Sequence, residues 1–176
     1  MRFLNITNDE QKITAFYSFY KKYFPPQERD TLHNMKALAQ KSVSIPGWTY
    51  VIQEVMDKDE PVGGLIYDWF SDINVLIIEF VFIAKAYRHH RIAQRLIERL
   101  IHKIPDITIL IEVEKESPAK EFWRKIGFSA LRTPYIQPPI SKDQKAFDGL
   151  MLMSNKPVKN LKNILHNHYW KYAFLN

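Results

Sequence analysis

The sequence predicts an α+β fold: a mixed, mostly antiparallel sheet with one parallel strand pair, flanked by helices. Three observations carry this. Two strand-like segments, Trp48–Met56 and Val62–Phe70, are joined by a turn over Asp57–Pro61 and read as an antiparallel pair. Val75–Ile83 is an almost unbroken β-branched and aromatic run, as in a strand buried on both faces. After it the period changes: Ile92/Ala93, Leu96/Ile97, Leu100/Ile101 and Ile104 recur every four residues, and a second buried run follows at Ile107–Val113. Strand, helix and strand within about forty residues make a βαβ unit with parallel strands and a right-handed crossover.

The remaining elements follow in order. Arg2–Ile6 is a first strand, and Ile13, Phe16, Tyr17, Tyr20 and Phe24 mark a helix that Pro25-Pro26 ends. Leu32, Met35 and Leu38/Ala39 carry a second helix, which Pro46-Gly47 separates from the hairpin. Beyond the βαβ unit, Ser117 is placed to cap a helix with Pro118 in its first turn. Ala119, Phe122, Trp123 and Ile126 form the apolar face of that helix, and Gly127 ends it. Phe128–Leu131 and Leu150–Ser154 are a closing strand pair, with Pro134, Pro138 and Pro139 in the connection. After Pro157, Leu161, Ile164, Leu165, His168, Tyr169 and Tyr172 make a last amphipathic helix. The expected organisation is one domain over 1–156 and a helical extension over 157–176, packed on the domain or on a partner subunit.

Composition narrows the function. The chain has 176 residues, 46% hydrophobic and 25% charged, which is globular rather than disordered or fibrous. It has no cysteine, so disulfides, thiolate metal sites and a cysteine nucleophile are excluded. No apolar run is long enough to span a bilayer, and MRFLNITNDEQ has no apolar signal core, so a cytoplasmic protein is expected. The net charge of +6 favours anionic partners without choosing among them. Its distribution says more, because Arg88, His89, His90, Arg91 and Arg95 fall in one short stretch.

That stretch is the most informative in the chain. The loop Ala86–Ala93 leaves a buried strand and opens a helix, where free backbone N–H groups and the helix dipole favour an anion. Arg88 and Arg91 are suited to phosphate oxygens; a solvated basic loop is the plainer account. Neither GxxxxGK[ST] nor GxGxxG occurs. Glu79 is the one charge within Val75–Ile83. A carboxylate buried there needs a partner, and a raised pKa would suit a general base; a Glu paired with a buried Arg or Tyr is the structural alternative. Strand alternation puts Glu79 on one face with Val81 and Ile83. His166 and His168 lack further ligands, and no metal is expected. Trp48, Trp69 and Trp170 are expected in core packing.

The stretch VFIAKAYRHHRIAQRLIERLI, followed by ILIEVEKESPAKEFWRKIGF, resembles the core of the GNAT superfamily of N-acetyltransferases. Arg88, Ile92 and Ala93 carry the likeness in the first motif, and Ala119, Gly127 and Phe128 in the second. The order of elements over roughly residues 2–155 agrees with that family. The resemblance implies a GNAT-like fold whose parallel strands splay apart to admit acetyl-CoA, the co-substrate. It implies that the backbone of Val81, Phe82 and Ile83 pairs with the pantetheine arm. Arg88, His89, His90, Arg91, Ile92, Ala93 and Gln94 would then hold the pyrophosphate. It also implies direct attack by a primary amine of a small molecule or peptide, without an acyl-enzyme, with an acid on the Glu79 strand as base. Three positions depart from the family pattern: Arg91 stands at a glycine, Glu116 at an asparagine and Trp123 at the tyrosine that often protonates the thiolate. Tyr135, in the connection Thr133–Ser141, is the replacement acid considered. That connection and Pro25–Asp30 would flank the acceptor entrance, where Glu28 and Asp30 would attract a cationic amine.

Two other readings use the same residues. One is a GNAT-fold protein that binds an acyl-CoA as a regulator, with weak catalysis or none. The other is a nucleic-acid-binding protein, suggested by the charge and by 4 Trp, 9 Tyr and 11 Phe. It is the weaker, because the basic residues cluster in one loop rather than in a stripe interleaved with aromatics. No membrane partner is expected; a homodimer through the last helix is left open.

Overall fold

Residues 1–139 and 145–173 are described by a computed structural model, in which one mixed sheet organises the chain. Its seven strands are β1 (Arg2–Asn5), β2 (Trp48–Asp57), β3 (Glu60–Phe70), β4 (Val75–Ile83), β5 (Thr108–Glu114), β6 (Ser129–Ala130) and β7 (Leu150–Ser154), in the order β1-β2-β3-β4-β5-β7-β6. Every neighbouring pair is antiparallel except β4–β5, as the βαβ pattern predicts. The closing pair forms with Ser129 opposite Ser154, and β7 lies between β6 and β5.

The helices cover both faces. On one, α1 (Glu10–Tyr20) and α2 (Leu32–Val43) bury Ile13, Phe16, Tyr20, Met35 and Leu38 against Tyr50, Ile52, Ile66 and Ile77. On the other, α3 (Ile92–Lys103) and α4 (Ala119–Lys125) bury Leu96, Ile97, Leu100 and Trp123 against Leu65, Leu76, Ile109 and Ile111. Asp9 caps α1 by accepting from the Lys12 amide at 3.0 Å, and Thr31 caps α2 by accepting from Asn34 at 3.1 Å. The helix α1 stops at Tyr20, earlier than the spacing out to Phe24 suggests. Arg29 stabilises that end: its Nη1 donates to the carbonyls of Lys21 and Phe24, each at 2.8 Å. Phe24 still packs inward, its ring 5.0 Å from that of Phe80. The helix α4 starts at Ala119 rather than Pro118, while the Ser117 hydroxyl accepts from the Ala119 amide at 3.2 Å. Gly127 follows with φ +95°, the left-handed geometry expected of a helix-ending glycine.

The last helix is not uniform. After α5 (Leu161–Asn163), residues Ile164–Tyr169 form a π segment, and α6 (Trp170–Ala173) resumes the α period. The wider turn brings Ile164 and Tyr169 to the same side, and both are buried with Leu165 in the α1/α2 layer.

Gly64 is required by close approach. A Cβ there would lie 2.6 Å from the Phe16 ring and 2.8 Å from that of Phe82. Gly64→Ala is expected to cost about 1–3 kcal/mol through overpacking, read as a lower midpoint in urea denaturation with an unchanged slope.

Candidate active site

The parallel ladder between β4 and β5 is short. It runs from Val75↔Thr108 to Ile78↔Ile111 and then ends, although both strands continue. Beyond it the chain Glu79–Ile83 keeps β3 on one edge and, among the described residues, has no ladder partner on the other, while Glu112–Glu114 pairs with β7 and not with β4. The two strands therefore open a cleft, with Glu79 and Glu112 at its apex.

Glu79 sits in a β-bulge. Ile66 pairs with Phe80 and Tyr67 with Ile78, so Glu79 has no opposite residue on β3. The extra residue inverts the alternation that placed Glu79 with Val81 and Ile83. Those two pack on the α3 side, whereas Phe80 and Phe82 face α1. Glu79 instead shares a neighbourhood with Asp68, Asp30 and Glu112, which all act on its charge. Burial first, then Asp68 and Asp30, raise its pKa well above the ordinary carboxylate range.

These acids were not singled out by the sequence reading, except Asp30. Asp68 is fully buried on β3 and accepts from Trp48 Nε1 at 2.6 Å. Trp48 thus does more than fill the core. Burial pushes Asp68 up to about 7 and Asp30 up to about 6. Tyr20 Oη accepts from the Asp30 amide at 3.2 Å, which ties the Pro25–Asp30 segment to α1. Glu28 is exposed. Glu112 accepts from Tyr135 Oη, from Gln137 Nε2 at 3.1 Å and from Tyr169 Oη at 3.4 Å, and its own pKa is raised by burial. Tyr135 therefore reaches the apex region, with its hydroxyl committed to Glu112 and its pKa pushed up by burial and that carboxyl. Within Thr133–Ser141, Ile140 and Ser141 lie outside the described residues.

Groups whose folded pKa is raised hold their protons more tightly when folded. Stability then falls as pH rises from the unfolded value near 4 through the folded values of about 6 for Asp30 and about 7 for Asp68. Chemical denaturation across this range is expected to show that decline, and Asp68→Asn to flatten it.

The basic loop follows β4. Arg88, His89, His90 and Arg91 are exposed, Ile92 is buried, and Ala93 and Gln94 are half-buried. Arg88 Nε donates to the Ile83 carbonyl at 3.1 Å, which fixes its stem at the end of the open edge. His89 and Arg91 have φ of +69° and +56°, and Arg91 is the residue that enters α3. A side chain thus occupies a left-handed position where glycine is favoured. The amides of Ile92, Ala93 and Gln94 open α3 and have no carbonyl one turn back within the helix. Arg95 Nη2 donates to the His90 carbonyl at 3.0 Å and supports the turn. Val81, Phe82 and Ile83 line the cleft with backbone. The Phe82 side chain lies among rings, 4.9 Å from Tyr23 and 5.6 Å from Phe19.

Trp123 is 5% exposed and packs 4.9 Å from Phe128 and 5.2 Å from Phe122, on the α4 side of the sheet. Trp123→Ala is expected to cost about 3–5 kcal/mol in stability, measured by denaturant melts. His168 Nε2 lies 3.4 Å from Asp72, His166 packs 4.4 Å from Trp170, and among the described residues no group of acids and histidines is arranged for a metal. No helix among them is long and apolar enough to cross a membrane.

A model of the acetyltransferase (GNAT) family matches residues 10–128. Among curated proteins, none matches the sequence. Solved structures share the fold. An acetyltransferase assigned to the GNAT family from Bacteroides thetaiotaomicron is 22% identical with a TM-score of 0.77, over 100% of both chains. A chimera of the Vibrio cholerae spermidine N-acetyltransferase SpeG and hSSAT is 14% identical, with a TM-score of 0.62 over 88% of this chain and 94% of its own. The ribosomal-protein-S18-alanine N-acetyltransferase from Escherichia coli is 13% identical, with a TM-score of 0.60 over 91% of this chain and 99% of its own.

Proposed function

We propose that this chain, which belongs to the GNAT acetyltransferase family, moves an acetyl group from acetyl-CoA to a primary amine of a small molecule or peptide by direct attack. The observation that carries the proposal is the cleft that opens after Ile78 and Ile111, with a raised-pKa carboxyl at its apex and a helix N-terminus at its mouth. Each part has a role. The open backbone edge of Val81, Phe82 and Ile83 pairs with the pantetheine amides. The amides from His89 to Gln94 take the pyrophosphate, with the Arg88 and Arg91 side chains adding charge-assisted bonds. Glu79 removes the proton from the arriving ammonium, since an alkylamine with a pKa near 10.4 is mostly protonated at neutral pH. Tyr135 is the hydroxyl closest in role to an acid for the thiolate; its raised pKa favours hydrogen-bond donation over full proton release. The reading carries with it a cytoplasmic setting and no need for a metal.

A second reading, acyl-CoA binding without efficient transfer, draws on Trp123, which has no acidic proton, and on the commitment of Tyr135 to Glu112. One pair of measurements separates the two. Acetyl-CoA at a hundred times its dissociation constant should add about 2.7 kcal/mol to stability under either reading. Release of free thiol in a panel of amines should follow only under the first. If acetyl-CoA gives no thermal shift, both readings fall.

A further inference from the structure

We infer that Asp68 is a positioning residue for this reaction: its carboxyl and that of Glu79 hold a single proton between them, and this shared proton sets the basicity of Glu79. The inference rests on Glu79 as the base. Asp68 is 0% exposed, and Trp48 Nε1 fixes its Oδ1 at 2.6 Å. Asp68 Oδ2 and Glu79 Oε2 are both shut off from solvent, and among the described residues no N–H or O–H reaches either. Asp68 pairs with Ile77, and Glu79, two residues further along β4, falls on the same face of the sheet, so the two buried carboxyl groups are neighbours and act on each other's charge. A carboxyl oxygen donates only when protonated. Two ionised carboxylates in this position would repel each other in a low-dielectric site, so one proton resides between them.

The surroundings keep it there. The groups that act on the pair are Asp30 ahead of α2, Tyr20 on α1, Tyr50 on β2, Glu112 on β5 and Tyr169 in the π segment. All are acids or phenols. None of the ion pairs among the described residues includes Asp30, Asp68, Glu79 or Glu112. Trp48 donates only to Asp68, which leaves Asp68 the better holder of negative charge and Glu79 the better holder of the proton.

The proton balance is then definite. Before attack the pair carries one proton and one negative charge. The ammonium gives its proton to the pair, which becomes doubly protonated and neutral, with Asp68 taking the proton that had been shared. The neutral amine attacks the thioester carbon, and the carbon–sulfur bond breaks. The second nitrogen proton leaves with the thiolate sulfur, and the pair resets by releasing one proton to water.

The test is a pH–rate profile together with 13C-carboxyl NMR of protein labelled at Asp and Glu. Wild type should show a coupled carboxyl titration above the ordinary range. Asp68→Asn removes the carboxyl that shares the proton, so the singly charged state loses its O–H···O⁻ bond. The acidic limb, which reports loss of the first proton from the doubly protonated pair, should then move to higher pH by about one unit, and the rate below the limb should fall about tenfold with it. Acetyl-CoA affinity should stay close to wild type. Trp48→Phe, which keeps both carboxyls, should raise the proton affinity of Asp68 and move the limb in the same direction by less. It serves as the readout if Asp68→Asn does not fold. An unmoved limb in whichever folded variant is read, or two independent carboxyl titrations in the wild type, overturns the shared proton. If Glu79→Gln keeps the full rate while the coupled titration persists, the base assignment has failed, not the pair.

Discussion

Glu79→Gln is expected to slow acetyl transfer by about 10²–10⁴-fold while leaving acetyl-CoA affinity close to wild type. Glutamine keeps the size of the side chain and removes its basicity. It disturbs neither the backbone edge of Val81–Ile83 nor the start of α3, where the donor is proposed to bind. The sign of the pH effect follows from the environment. Burial, Asp68 and Asp30 raise the Glu79 pKa, so the folded protein keeps this proton to a higher pH than an ordinary carboxyl near 4.3. A base works only once a proton has left it, here the first of the two that Glu79 and Asp68 can hold together, so the wild-type rate should climb as pH rises through that raised titration. The variant should lack that limb. Steady-state thiol release across pH, for wild type and Glu79→Gln side by side, reads both quantities. Equal rates with the same acidic limb would show that Glu79 is a buried polar group and that solvent or Tyr135 handles the proton.

The parts of this site that the sequence makes legible are those set by local pattern. Val75–Ile83 is bounded in the structure as its apolar run suggests, because β-branched and aromatic residues on both faces leave little alternative. The α3 face and the Gly127 stop are equally local. Arg91 at a glycine-like position is legible as a conformational demand, and its φ of +56° meets it. What the sequence does not display depends on lateral neighbours. The bulge at Glu79 has no glycine or proline to announce it, yet it inverts the parity of every residue after it on β4. Asp68, Glu79 and Glu112 are each an acid inside an apolar strand. That is the signal available for them, but only the order β3-β4-β5 makes them neighbours. The π segment escapes a reading based on a period of 3.6, which puts Ile164 and Tyr169 at opposite edges of the apolar stripe and gives no sign of the wider turn.

Replacing Arg88 and Arg91 together by Glu is expected to weaken acetyl-CoA binding by about a hundredfold or more. The estimate takes the loss of two charge-assisted hydrogen bonds at about 1.5–3 kcal/mol each, with tenfold in affinity per 1.4 kcal/mol; the new negative charges beside a pyrophosphate add repulsion. Both side chains are exposed, and Arg88 is anchored through Nε to the Ile83 carbonyl, which leaves the outer guanidinium nitrogens for an anion. Exposure also makes the effect sensitive to salt, so the gap between wild type and variant should narrow as ionic strength rises. Arg91 adds a conformational question, because it enters α3 in the left-handed region. Arg91→Gly removes the charge and relieves that demand, so it should melt no lower than wild type and still lose part of the affinity. Isothermal calorimetry with acetyl-CoA at two salt concentrations measures all of this. Unchanged affinity in the double variant would remove the pyrophosphate from this loop, and the helix N-terminus with its free amides would have no anion to hold.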